Sequence, residues 1–334
     1  MYELLGISLL LATLLIVNAA ASLAAAGLWR LFGRSTRRCS ARIRAEILFA
    51  MRIGPPAMAA ISVAVLLVPS YLVYEPYSTN EFVSKKLGAL AIVSAVGVGL
   101  AFWRSFRAWL ATHSLLRKWV ASGTPVQLSG ISIPTFRLPH PFPIIAVIGT
   151  FRPRLFIAER VLASLRPEEL LAAIGHECGH LAARDNFKRS LLRACRNALL
   201  IIPCGRSLDR AWAEASESAA DEYAARESAA VALNLAATLV RIARMIPEGA
   251  RAAMPVAAFL VGSEETRGVK ARVRRLIEMA SIGYQAQSRA DAIAGLMPWM
   301  SLGSFILIGL TLERTPQLLA TVHTLVEQVV SLLS

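Results

Sequence analysis

Two histidines four residues apart with a glutamate beside the first, His176-Glu177-Cys178-Gly179-His180, are the residues of this chain best placed to do chemistry. On an α-helix, positions i and i+4 lie about 40° apart around the axis and one turn apart along it. The two imidazoles can therefore converge on one point from one face. Such a point suits Zn²⁺, which takes histidine nitrogens at about 2.0–2.1 Å and, in catalytic sites, keeps one position for water. Glu177 neighbours both histidines without having to be a ligand. Its carboxylate can take a proton from the activated water, the general-base role in metal-assisted peptide hydrolysis. Cys178 falls about 200° around the helix from His176 and is expected to point away from the metal.

Two histidines leave a catalytic zinc one protein ligand short. The other histidines are poorly placed: His113 in a Trp-rich segment, His140 between two prolines, His323 on the C-terminal tail. Acids offer more. On an expected helix over 207–226, Glu214, Glu217 and Asp221 fall at i, i+3 and i+7, on one face. The rest of that helix is rich in alanine, which suits close packing against another helix. A solvated acidic stripe is the alternative, and spacing alone does not choose among the three acids.

The elements that must position these groups follow from local pattern. A helix is expected over 167–185, with Pro167 in its first turn and Glu168 and Glu169 at the positive end of its dipole. The lead-in Leu170, Leu171, Ala172, Ala173 and Ile174 is apolar on nearly every side, which marks a buried helix. Ahead of it, 124–150 is dense in Pro, Gly and β-branched residues, with short strands expected at 144–149 and 154–157. A small sheet against the motif helix would offer a free edge to which an extended peptide could add. Further helices are expected over 187–202, 229–245 and 269–280, the last with Val269, Val273, Leu276 and Ile277 on one face. Apolar residues at helical spacing over 316–333 predict a tail helix lying on a membrane surface or pairing with a partner helix.

At 334 residues, 55% hydrophobic and a mean hydropathy of +0.53, the chain is too apolar for an ordinary globular enzyme. Uncharged runs at 4–29, 55–74, 87–103 and 292–312 are each near the roughly 17–25 residues that cross a bilayer as a helix. Pro55 and Pro56 are expected to open the second span, and Pro69 to kink it. The first run lacks positive charge before its apolar core and has Arg30, Arg34, Arg37 and Arg38 after it, the reverse of a secretory signal. The net charge is +14, and 33 of the 36 basic residues lie in two segments, 30–52 and 104–289, which four spans would place on one side. By the positive-inside rule that side is the cytoplasm, with both termini outside. Topology and anionic lipid thus account for the basic excess, and no nucleic-acid partner is expected. Four cysteines without CxxC or regular spacing indicate neither a disulfide framework nor a Cys-rich zinc module.

The His-Glu-x-x-His run followed by Glu217-Ser-Ala-Ala-Asp221 resembles the membrane zinc peptidases whose third ligand comes from a Glu-x-x-x-Asp motif. Within these, the chain is most similar to the BlaR/MecR-type sensor-transducers, through its early spans, the lead-in 149–157, the phrase 165–170 and Arg184-Asp185. The HtpX/Ste-type peptidases share the zinc motifs and come second. The resemblance implies His176, His180 and Glu217 as Zn²⁺ ligands, Glu177 as the base, and Asp221 as the partner orienting a ligand histidine. Asp185 occupies a similar family position, although capping the following helix is an equal reading. Arg272 could stabilise a developing oxyanion or be an ordinary surface arginine. Unlike the sensor-transducers, the chain carries only 313–334 after the last apolar run, with no Ser-x-x-Lys nucleophile, so β-lactam sensing by acylation is not expected. The expected architecture is a mainly α integral membrane protein of four transmembrane helices with a cytoplasmic α+β zincin-like metallopeptidase domain. Residues 1–120 would hold three spans, 121–290 the peptidase, and 291–334 the fourth span and an amphipathic tail. The expected setting is a bacterial inner membrane, and the expected partners are the lipid bilayer and a protein or peptide substrate. That substrate would be a regulatory protein, or, on the HtpX reading, misfolded membrane proteins. A non-catalytic zinc-containing transducer is the reading from another class.

Overall fold

Backbone polar groups in lipid must be satisfied within their own segment, so long uncharged runs are expected to fold as helices. The computed structural model describes residues 2–76, 83–128, 131–198, 205–246, 266–282, 300, 303–304, 307 and 315–333. In it α1 spans Tyr2–Phe32, and α2, Ala41–Ile61, continues through a π-helical turn, Ser62–Leu67, into α3, Val68–Tyr74. Next comes α4, Lys85–Ser122. Three helical stretches among the described residues, Tyr2–Phe32, Ala41–Tyr74 and Lys85–Ser122, are long and apolar enough to cross a membrane. The fourth expected span, 292–312, lies almost wholly outside the described residues.

One proline expectation is corrected. Pro55 and Pro56 lie inside α2, which starts earlier, where the Ser40 hydroxyl accepts the Ile43 N–H. At Pro69 the chain stays helical. Its ring would collide with the carbonyl four residues back in a regular α-turn, and the wider π turn immediately before Val68 relieves that collision.

After α4 the chain forms β1 (Thr124–Val126), β2 (Thr135–Leu138), β3 (Ile145–Ile148) and β4 (Arg154–Ala158) in the order β1-β2-β4-β3. Only the β2–β4 pair is parallel. All of β3 and most of β4 are buried, which is why both are continuous apolar runs rather than alternating ones. Between them Gly149 holds φ +114, where an added Cβ would come within 2.6 Å of the Arg152 carbonyl oxygen.

Among the described residues the further helices are α5 (Glu159–Ser164), α6 (Pro167–Ala182), α7 (Asp185–Ala198), α8 (Gly205–Ala225), α9 (Ala229–Met245), α10 (Thr266–Ile282) and α11 (Pro316–Leu333). Ala172, Ala173 and Ile174 of α6 join Phe156, Ile157, Leu235, Leu239 and Leu276 in one core. On α10, Ile277 departs from the expected apolar face and is exposed. The tail helix α11 also differs from expectation. Its Leu319 carbonyl accepts the Ser70 hydroxyl, and Val326 and Val330 pack on Leu5, Leu9, Tyr71 and Leu87, so part of its apolar face is covered within the chain itself.

Helix α2 is bolted to the motif-bearing half by charge. Glu222 of α8 accepts the Ala41 N–H, Arg52 pairs with Asp209 at 2.9 Å, and Glu46 pairs with Lys188 of α7. Breaking one partner of such a buried pair costs about 3–5 kcal/mol, since the other charge is left uncompensated.

Candidate metal centre

The start of α6 is pinned by Glu169, whose carboxylate accepts the Arg166 backbone N–H and meets the Arg166 and Arg241 guanidiniums. Burial would raise this carboxyl, but those contacts hold it below its ordinary value. From that anchor the helix carries His176 and His180 onto one face, their ring centroids 4.8 Å apart and nearly perpendicular. Both are buried.

Helix α8 crosses this face closely because residue 179 is glycine. A Cβ there would stand 2.9 Å from Ala220 Cα and 3.0 Å from Tyr223 Cβ. The approach delivers Glu217, with Oε1 3.4 Å from His180 Nε2 and Oε2 3.6 Å from His176 Nε2. One ligand atom from each of His176, His180 and Glu217 lies within 4.8 Å of the others. Glu214 is exposed, away from this convergence, and Asp221 lies behind it, Oδ1 2.9 Å from His176 Nδ1. The three acids that share a face by spacing thus separate into three environments.

His180 is oriented in the same manner. Its Nδ1 lies 2.6 Å from Asp185 Oδ2, so Asp185 does more than begin α7. The connection is sharp: Arg184 adopts φ 55, a left-handed conformation that costs a non-glycine residue about 1–2 kcal/mol and turns the chain back toward His180. Ser216 donates to the same Asp185 oxygen at 2.7 Å. Arg272 is not a surface arginine. It grips Asp221 through Nε and Nη2 at 2.8 and 2.6 Å and reaches Glu217 Oε2 through Nη1 at 3.1 Å.

The donor set fits a divalent metal ion. With a carboxylate on each Nδ1, both Nε2 atoms turn toward Glu217, and buried His176 Nε2 makes no hydrogen bond. Charge argues the same way. Among the described residues, four carboxylates (Glu177, Asp185, Glu217, Asp221) surround the site against two guanidiniums, Arg189 on Glu217 Oε1 and Arg272. A dication would balance the remainder. Burial opposes charge throughout, yet His180 and Arg272 hold Glu217 well below the carboxylate range, and Arg272 and His176 hold Asp221 at about 2. Between Glu217 and Asp185, His180 is pushed up to about 10 despite its burial.

Glu177 is nine-tenths buried, its Oε2 accepting the Val147 N–H at 3.0 Å from the outer edge of β3. Asn186 Nδ2 donates to the carbonyls of Val147 and Gly149 at 3.0 and 3.2 Å. The sheet edge expected to be free is therefore engaged at Val147 by side chains of α6 and α7.

Sequence reasoning did not find Arg189, Asn186 or Ser216. Arg189 had a signal, the bases recurring through the first turns of α7; the other two had none. Among the remaining histidines, His113 stacks on Trp109, His323 stacks on Tyr74, and His140 packs at an angle on Trp119.

Residues 147–267, running from β3 through α9 to the start of α10, match the family model of peptidase family M48. No curated protein matches the chain. The match supports a metallopeptidase of that family, and the three apolar helices suggest that it is a membrane protein.

Proposed function

We propose that this chain is a membrane-embedded, zinc-dependent endopeptidase that cleaves a protein substrate at the cytoplasmic face, as regulatory proteolysis of a repressor or signalling protein. The observation that carries this reading is the convergence of His176, His180 and Glu217, with Asp221 and Asp185 fixing the two rings and Glu177 beside them. His176, His180 and Glu217 would hold the ion. When bound, zinc supplies a Lewis acid that polarises the scissile carbonyl and acidifies water.

The chain's own groups then do the following. Asp221 and Asp185 keep each Nδ1 protonated, so each Nε2 presents its lone pair. Glu177 takes a proton from the attacking water on its carboxylate and returns it to the leaving amine. Before that, Val147 N–H holds the Glu177 carboxylate at the sheet edge, and an extended substrate laid along β3 would release it. Arg272, bound to Asp221 and Glu217, acts through them as a positioning residue rather than as an oxyanion donor.

The basic segments at 30–52 and 104–289 support a cytoplasmic site with both termini outside. Replacing Glu177 by Gln in the purified full-length protein should leave zinc content unchanged and abolish cleavage of an unfolded protein substrate. Cleavage at the parental rate would remove Glu177 as the base; loss of zinc would make it structural. Proteomic comparison of wild-type and Glu177→Gln cells should show one or a few stabilised regulators. Many stabilised membrane proteins would replace this role by HtpX-like quality control.

A further inference from the structure

Where the start of α2 meets α8 and α10 lies a concavity whose lining includes none of the residues of the metal centre. It measures about 650 Å³ and is lined by Arg44, Ser218, Lys270, Arg274, Arg275 and Glu278 with the start of α2. That volume is in the range of small-ligand sites, about 300–1,000 Å³. Four bases against one acid make it a basic cavity. Arg275 is compensated by Glu222 and Arg274 by Glu278, while Lys270 has no ion-pair partner among the described residues.

Its position says what kind of anion it meets. The Arg44 guanidinium stands 5.9 Å over the indole of Trp29, at the end of the apolar stretch of α1. Tryptophan at the end of a span marks the membrane–water boundary. Leu28, Leu31 and Phe32, beside Trp29, are largely exposed and offer acyl chains an apolar surface. A basic cavity at headgroup depth, next to an apolar wall, matches a phospholipid better than a free solute, because the two halves of one molecule satisfy both surfaces. Basic pockets at the ends of membrane helices bind anionic headgroups by this combination.

We propose that the cavity between the start of α2 and helices α8 and α10 is a binding site for the phosphate headgroup of an anionic phospholipid. The headgroup phosphate sits among Lys270, Arg274 and Arg44, and its chains run along the end of α1. The site joins a membrane helix to α10, the helix that presents Arg272 to Asp221, without belonging to the metal centre.

The test uses full-length protein in neutral detergent with fluorescent phosphatidylglycerol or phosphatidylcholine as probe. It needs no peptidase activity, so its outcome is independent of the proposed reaction. Phosphatidylglycerol should bind more tightly, and Lys270→Glu with Arg274→Glu should weaken it at least about tenfold while leaving phosphatidylcholine unchanged. Ser218→Asp keeps every base and adds a negative charge to the cavity wall, so it should also weaken phosphatidylglycerol and guards against misfolding of the double variant. Lys85→Glu, at the opposite end of the bundle beside Leu87 and Leu5, should have no effect. Equal affinity for the two lipids, or unchanged phosphatidylglycerol binding in both cavity variants, overturns the proposal. Displacement of the lipid by millimolar inorganic phosphate would also overturn it, replacing the lipid by a free phosphate.

Discussion

Replacing Asp221 by Asn tests whether the metal centre is held together from behind. The wild-type carboxylate is 1% exposed, lies 2.9 Å from His176 Nδ1 and binds Arg272 at 2.6 and 2.8 Å. Asparagine keeps the shape but offers one acceptor oxygen; Arg272 binds both carboxylate oxygens and so faces an NH₂ group in either orientation, and His176 faces it too when the NH₂ takes the Oδ1 position. Burial alone would push the carboxyl up; Arg272 first and His176 second bring it down to about 2 from 3.8. At about 1.4 kcal/mol per unit, the charged form contributes roughly 2–3 kcal/mol to the fold at neutral pH. Because the folded value is depressed, that contribution is full above about pH 4 and is lost as pH falls toward 2. Asp221→Asn should therefore lower unfolding stability by roughly 2–3 kcal/mol at pH 7 and by little at pH 2. Loss of the orienting partner should weaken zinc binding about 10–100-fold, read by chelator competition. Adding Arg272→Met removes the stranded cation and should restore much of the stability without restoring zinc affinity. Zinc affinity within twofold of wild type in folded Asp221→Asn protein would refute the reasoning: His176 would not then be a ligand steered through Nδ1.

Other outcomes follow from the same contacts. Gly179→Ala places a Cβ against Ala220 and Tyr223 and should cost about 1–3 kcal/mol with weakened metal binding, measured by thermal unfolding and chelator competition. Glu169→Gln removes charge-assisted bonds to Arg166 and Arg241 and should destabilise by about 1.5–3 kcal/mol at pH 7. Since the Glu169 carboxyl is held below its ordinary value, the gap between wild type and variant should close as pH falls through the carboxylate range; a gap constant with pH would locate the effect in packing. Arg184→Gly relieves the left-handed residue between α6 and α7 and should stabilise by up to about 1 kcal/mol, visible as a raised melting temperature.

Features that depend on near neighbours along the chain were legible before any fold was known. Four-residue spacing put His176 and His180 on one helical face, and uncharged length made Tyr2–Phe32 and Lys85–Ser122 long helices. Both follow from a period of 3.6 residues and from the absence of charge, which need no tertiary information. Pattern failed first at Pro55 and Pro56, because neighbouring helices can support a proline inside a membrane helix. It failed again wherever a partner came from far along the chain. Glu214, Glu217 and Asp221 were equivalent by periodicity; the crossing of α8 over Gly179 distinguished them, as contact depends on the depth of approach as well as the angle around an axis. Asp185 could have been a simple helix start until the left-handed Arg184 turned its carboxylate onto His180. Arg272 follows His176 by 96 positions and meets Asp221 only because α10 docks beside α8. The motif thus specified which atoms could bind a metal, and the packing of helices distant in sequence decided which carboxylates and guanidiniums surround them.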